Sequence, residues 1–159
     1  MRMEQEQLQK KLKAKYETLR EQKGYDHSFE ELDEIFFIQD YVLNSGYISP
    51  QLNRMIASRI EDTFNSWVNK LHSWVIPNPK SLVQRSESNA FTDEEKQKMK
   101  DIISAFKQHS YTNRIAGVAK DEEKDKVFIN KSVELWNNHK DDLQQFLEKS
   151  KDHWEDRPL

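Results

Sequence analysis

The stretch from Leu52 to Val75 constrains this chain most. Leu52, Met55, Ile56, Ile60, Phe64, Trp67, Val68, Leu71, Trp74 and Val75 recur at spacings of three and four along it. A strand would expose every second residue to one side, so only an α-helix gathers these side chains on a single face. Such a face has to be buried against other elements, which makes this segment the expected central core helix. Trp67 and Trp74 share its phase with the aliphatic residues, which assigns them to packing rather than to a stacking platform for nucleic-acid bases.

The remaining sequence also speaks for helices. Three Gly and four Pro are too few to punctuate a β-sandwich, and long stretches rich in Glu, Lys, Gln and Leu favour helix. Only 35% of the 159 residues are hydrophobic, 33% are charged, and mean hydropathy is −1.00, a composition close to that of disordered chains. Four Trp, five Tyr and eight Phe at helical spacing offset this, because each buries a large area. The expectation is an all-α, single-domain bundle of about five helices, with residues 25–152 as its body.

The flanking segments complete that expectation. Residues 1–24 read as a charged amphipathic helix with a narrow stripe of Leu8, Leu12, Tyr16 and Leu19, closed by Gly24. Ser49 and Pro50 suit the start of the central helix. Residues 77–91, PNPKSLVQRSESNAF, begin with two prolines and are rich in small polar residues, so they read as a long polar crossover loop. Thr92 and Glu95 form a capping box for a helix with Met99, Ile102, Ile103 and Phe106 inside, which ends near His109 or continues through Tyr111, Ile115 and Val118. A last helix spans roughly 121–151, with Val127, Ile129, Val133, Trp136, Leu143, Phe146 and Leu147 as its inner positions. Residues 153–159 read as a loose tail in which Trp154 is able to fold back.

The acid-rich run SFEELDEIFF, residues 28–37, poses the main chemical question. Ser28 and Glu31 have the spacing of a capping box, and Glu30, Asp33 and Glu34 fall in the first turns, where the helix dipole favours acids. Phe29, Leu32, Ile35, Phe36, Phe37 and Ile38 follow as one wide apolar face of a helix running to Gly46. Glu30, Glu31 and Glu34 also fit the EExxE pattern, and over these five residues the chain resembles the all-α nucleotide pyrophosphohydrolases. That resemblance implies magnesium held by the three acids against a triphosphate. The family completes its site with ExxD on the following helix, whereas here Glu61 is followed three residues later by Phe64. Glu122 and Asp125 have the ExxD spacing, but on another helix. Helix initiation accounts for the whole cluster, so no metal or cofactor is expected.

Other chemistries lack their residues. With no cysteine, disulfides, thiolate-ligated zinc and thiol nucleophiles are excluded. The five histidines are scattered without HxxxH or HExxH spacing, and no glycine-rich phosphate loop or GxSxG is present. No apolar run approaches about 20 residues, and no apolar signal region follows the first charges. The localisation expected on these grounds is cytoplasmic.

The basic run Lys10, Lys11, Lys13 and Lys15, interleaved with the apolar stripe, is the patch best suited to a partner. Residues 1–23 carry seven basic and four acidic side chains, against eight basic and eleven acidic in residues 120–159. The function expected is a non-catalytic helical interaction module, a homo-oligomer or a small subunit of a larger complex, binding through Leu8, Leu12, Tyr16, Leu19 and the four lysines. The alternatives are a magnesium-dependent pyrophosphohydrolase and an accessory nucleic-acid-binding subunit. The second of these would grip phosphates through the lysines and weaken steeply with salt.

Overall fold

The computed structural model describes residues 2–157. They form seven helices and no strand: α1 (Arg2–Lys23), α2 (Phe29–Phe36), α3 (Ile38–Ser45), α4 (Leu52–Val75), α5 (Leu82–Asn89), α6 (Asp93–Ala119) and α7 (Glu122–Asp156). The all-α class is as expected, but the helix number is seven rather than about five. Contacts divide the chain into two compact units. Unit 1 comprises residues 1–63 and 111–134; unit 2 comprises residues 64–110 and 135–159.

Unit 1 is organised around aromatic and aliphatic side chains from α1 to α4 and α7. Leu12, Tyr16, Leu32, Phe36, Ile38, Val42, Ile60 and Ile129 are fully buried. The Tyr16 ring lies 6.0 Å from those of Tyr25 and Phe29, and its hydroxyl donates to the carbonyl of His27 at 2.6 Å. A buried hydroxyl with a partner avoids the cost of an unmet hydrogen bond. Burial pushes the Tyr16 phenol well above its ordinary pKa, so it stays neutral and donates.

The first extra helix arises where a single helix over residues 29–45 was expected. Ser28 caps α2 by accepting from the Glu31 amide at 3.2 Å. At Phe37 the backbone turns left-handed (φ 55°, ψ 48°), its amide donates to the Asp33 carbonyl, and α3 begins at the next residue. The Asp33 carboxylate accepts from the Gln39 amide at 2.7 Å and satisfies a donor at the new helix start. The cause lies in the apolar phase. Two residues advance an α-helix by about 200°, so an unbroken helix would turn Ile38 and Val42 away from the side that buries Phe29, Leu32 and Phe36. The break lets all five be buried, and leaves the Phe37 side chain exposed.

The second extra helix is α5, inside the segment expected to be a loop. Ser81 accepts from the Gln84 amide at 3.2 Å, and the Gln84 side chain accepts from the Asn78 amide at 2.8 Å. Ser81 and Gln84 thus have the S-x-x-Q spacing of a helix start. The crossover is therefore shorter than expected, with residues 82–89 helical. Leu82 and Val83 are exposed, and α5 instead buries Glu87 and Ser88.

Unit 2 has an aromatic core. Phe64 and Phe106 pack edge to face with centroids 4.7 Å apart, Trp74 lies 5.0 Å from Phe91, and Phe91 lies 5.9 Å from Phe146. Thr92 and Glu95 form a reciprocal capping box at the start of α6: the Glu95 amide donates to the threonine hydroxyl at 3.1 Å and the Thr92 amide to the glutamate at 3.0 Å. Helix α7 runs to Asp156, so residues 153–156 of the expected loose tail are helical; Pro158 and Leu159 lie outside the described residues. Phe128 rather than Val127 is buried on α7, and Leu147 is exposed. The start of α4 is two residues later than Pro50: Ser49 accepts from the Gln51 amide at 3.1 Å, and the helix begins at Leu52. Among the described residues no helix is long and apolar enough to cross a membrane.

Candidate functional site

The residues expected to bind a partner through α1 are divided by the structure into three groups. Leu12 and Tyr16 are fully buried and Leu8 and Leu19 half-buried, because α1 packs on α2 and α3. The stripe is therefore spent largely inside the chain's own core. Lys13 forms an ion pair with Glu30, and Lys15 donates to the Ser49 carbonyl at 2.8 Å. Lys10 and Lys11 are exposed and have no carboxylate partner among the described residues. A groove of about 550 Å³ beside α1 brings Lys10 and Lys13 together with Glu17, Glu30, Asp33, Ala14 and Phe29. With two cations against three carboxylates it lacks the basic excess that phosphate binding uses.

Two of the three acids of the EExxE pattern, Glu30 and Glu31, are engaged by separate partners. The hydrogen bond from Lys13 holds Glu30 below the usual carboxylate range, and the His27 ring does the same for Glu31, whose Oε2 lies 2.8 Å from His27 Nδ1. Glu34 is exposed. On α4, Glu61 accepts from Asn113 Nδ2 and from Arg114 Nε, each at 2.9 Å. Among the described residues no group of three His, Cys, Asp or Glu side chains is arranged to hold a metal ion.

Two further polar clusters, one in each unit, bring chemistry-bearing side chains together. In unit 1, Asp125 is 2% exposed and accepts from Arg54 Nη1 and Asn53 Nδ2, both at 2.6 Å, while Arg54 Nη1 also donates to Asn113 Oδ1 at 2.8 Å. These bonds tie α4 to α6 and α7. Glycine at 117 makes room for them, because a Cβ there would stand 2.7 Å from Arg54 Nη2. A buried carboxylate so fully paired is structural in kind. Glu122, the other ExxD residue, pairs with Lys23 at 3.0 Å.

In unit 2, Glu87 accepts from the indole N–H of Trp74 at 3.2 Å and of Trp154 at 3.1 Å, with the Lys70 ammonium at 3.4 Å. Burial alone would raise its pKa. The two indoles and the ammonium outweigh burial and hold it below the usual carboxylate range. Trp154 reaches this carboxylate from within the continuous α7 helix, not through a tail that folds back. The other polar contact between α5 and α7 here joins Ser86 Oγ and His153 Nε2 at 2.8 Å. The S-x-x-Q start of α5 was the one sequence signal pointing towards this cluster.

An exposed apolar line also lies along the last turns of α6. In the last turns of α6, buried Asn113 and Ala116 face inward, while Tyr111, Ile115 and Val118 are 57%, 56% and 88% exposed. Their spacings of four and three place the three on one outer face. Polarity is inverted there relative to an ordinary surface helix, which turns its apolar side to the core. Arg114 lies beside this line, its guanidinium 5.2 Å from the centre of the Tyr111 ring. No family model, curated protein or solved structure matches this chain.

Proposed function

We propose that this chain is a non-catalytic helical interaction module whose contact face is the outer side of the last turns of α6. The observation that carries the reading is the inverted polarity between Tyr111 and Ala119. Large apolar side chains at i, i+4 and i+7 on an uncovered helix face are the anchors with which helices engage other proteins. Leaving them in water forgoes the hydrophobic stabilisation that burial would bring. Leu12 and Tyr16 of the α1 stripe are buried against the chain's own helices, which favours α6 over α1 in this reading. The paired state of Glu30 and Glu31 supports a non-catalytic role for the acidic start of α2.

The test is capture on the immobilised full chain from an extract of its native host, beside the same chain carrying Ile115→Asp and Val118→Asp. Both positions are exposed, so circular dichroism should be unchanged. The expected result is one or more retained chains, further copies of this protein included, that are lost with the double variant. Identical retention by both would remove α6 as the contact face.

A further inference from the structure

We infer that residues 77–90, with α5 at their centre, form a strap over Trp74 that lifts as one piece while the rest of unit 2 stays folded. The Glu87 carboxylate is its latch.

The two other eight-residue helices, α2 and α3, are held down by apolar side chains: Phe29, Leu32 and Phe36 in one, Ile38 and Val42 in the other. Helix α5 has the same length but buries only Glu87 and Ser88, with Leu82 and Val83 turned to solvent. Lifting α2 or α3 would put apolar surface into water, the dominant cost of undocking a helix. Lifting α5 exchanges hydrogen bonds to protein for hydrogen bonds to water, and the net cost of that exchange is small.

The strap also keeps much of its own structure when it lifts. Gln84 Oε1 accepts from the Asn78 amide at 2.8 Å, Asn78 Oδ1 from the Lys80 amide at 3.0 Å, and Ser81 Oγ from the Gln84 amide at 3.2 Å. These bonds lie within residues 77–90 and travel with them. The bonds that tie the strap down gather in its second half. Glu87 meets Trp74, Trp154 and Lys70, Ser88 Oγ donates to the Trp74 carbonyl at 2.6 Å, and Ser86 meets His153. Glu87 uses one carboxylate oxygen towards α4 and the other towards α7, so losing its charge loosens both sides at once.

Both ends are fixed. Pro77 and Pro79 stop α4 from extending into the strap. Phe91, buried with its ring centre 5.0 Å from that of Trp74, anchors the chain just beyond it. A segment with few apolar contacts between two fixed points opens at a lower free energy than global unfolding. Its opening uncovers the Trp74 indole, which is fully buried while the strap is down.

The chain contains no cysteine, so an introduced thiol is unique. Ser88→Cys places one on the underside of α5 and Ser110→Cys one on α6, both where the serine is 2% exposed. Without denaturant, a thiol reagent should label Ser88→Cys at least about tenfold faster than Ser110→Cys, because local opening suffices for the first. Low urea should leave the first rate nearly flat and raise the second steeply, since urea acts in proportion to the surface exposed. Adding Glu87→Gln to Ser88→Cys should speed its labelling by about tenfold or more, the factor that corresponds to a lost hydrogen bond at a buried charge. The unmodified chain supplies a measurement that no thiol perturbs. Its Trp74 indole N–H should exchange with deuterium sooner than the Phe106 amide, each taken relative to its unprotected rate. Equal labelling rates with equal urea slopes, a Ser88→Cys rate indifferent to Glu87→Gln, or a Trp74 indole that exchanges no sooner than Phe106 would each overturn the strap.

Discussion

Lys120 closes α6 in the left-handed region, at φ 52°, where its amide donates to the Gly117 carbonyl and the Asp121 amide to that of Ala116. This is the Schellman arrangement, which favours glycine because a Cβ is strained there. Lys120→Gly should therefore raise stability by about 1 kcal/mol, read as a higher denaturant midpoint at unchanged slope. Glu87 carries the opposite expectation. Glu87→Gln replaces one acceptor oxygen with an NH₂ donor facing an indole N–H, at a cost of about 1–3 kcal/mol. The same residue sets a pH dependence. Its folded pKa is lowered, so its stabilisation is present above the unfolded value of about 4.3 and is lost as pH falls through the lower folded one. Glu95 is lowered too: burial would raise it, but Lys149 and Thr92 outweigh that, so it adds to the same acid limb. Acid titration followed by tryptophan fluorescence should show this limb, and Glu87→Gln should shrink it. None of this was readable from residue 87, because a Glu in a polar run becomes an anchor only when two indoles distant in sequence reach it.

At the scale of elements, α1 is a structural helix of its unit rather than an appendage. Leu12→Ala should cost about 2–5 kcal/mol, measured by denaturant unfolding, as befits a fully buried leucine. Helix α6 gives a sharper case at Gly117. Alanine ordinarily gains up to about 1 kcal/mol over glycine inside a helix. Here the added methyl would displace the guanidinium of Arg54 from Asp125, and breaking a buried ion pair costs about 3–5 kcal/mol. Gly117→Ala should therefore destabilise the protein by about 2–4 kcal/mol net in the same unfolding measurement. The element errors have equally definite causes. The break at Phe37 was written in the two-residue step from Phe36 to Ile38, a change of phase within an apolar run. Helix α5 was written in Ser81 and Gln84 but masked by its polar composition, since what it buries is Glu87 and Ser88 rather than an apolar stripe.

For the whole molecule, the acids that resemble a magnesium site, exposed Glu34 apart, are distributed among Lys13, His27, Asn113, Arg114, Arg54 and Lys23, in pairs that do not converge. Calorimetry of the full chain with magnesium and a nucleoside triphosphate should accordingly give no binding heat; a saturable heat lost on Glu30→Gln would show that these pairs open to admit a metal. The sequence alone determined the all-α class and the course of α4, with most of its core: spacings of three and four allow no other regular structure, and capping pairs such as Thr92 and Glu95 act within four residues. Only the tertiary structure decided that the stripe of α1 is covered, that Asp125 and Glu87 are buried among partners, and that Tyr111, Ile115 and Val118 are left outside. Periodicity says that side chains share a face. Which face meets protein and which meets water depends on residues far away in the chain, and no local pattern carries that information.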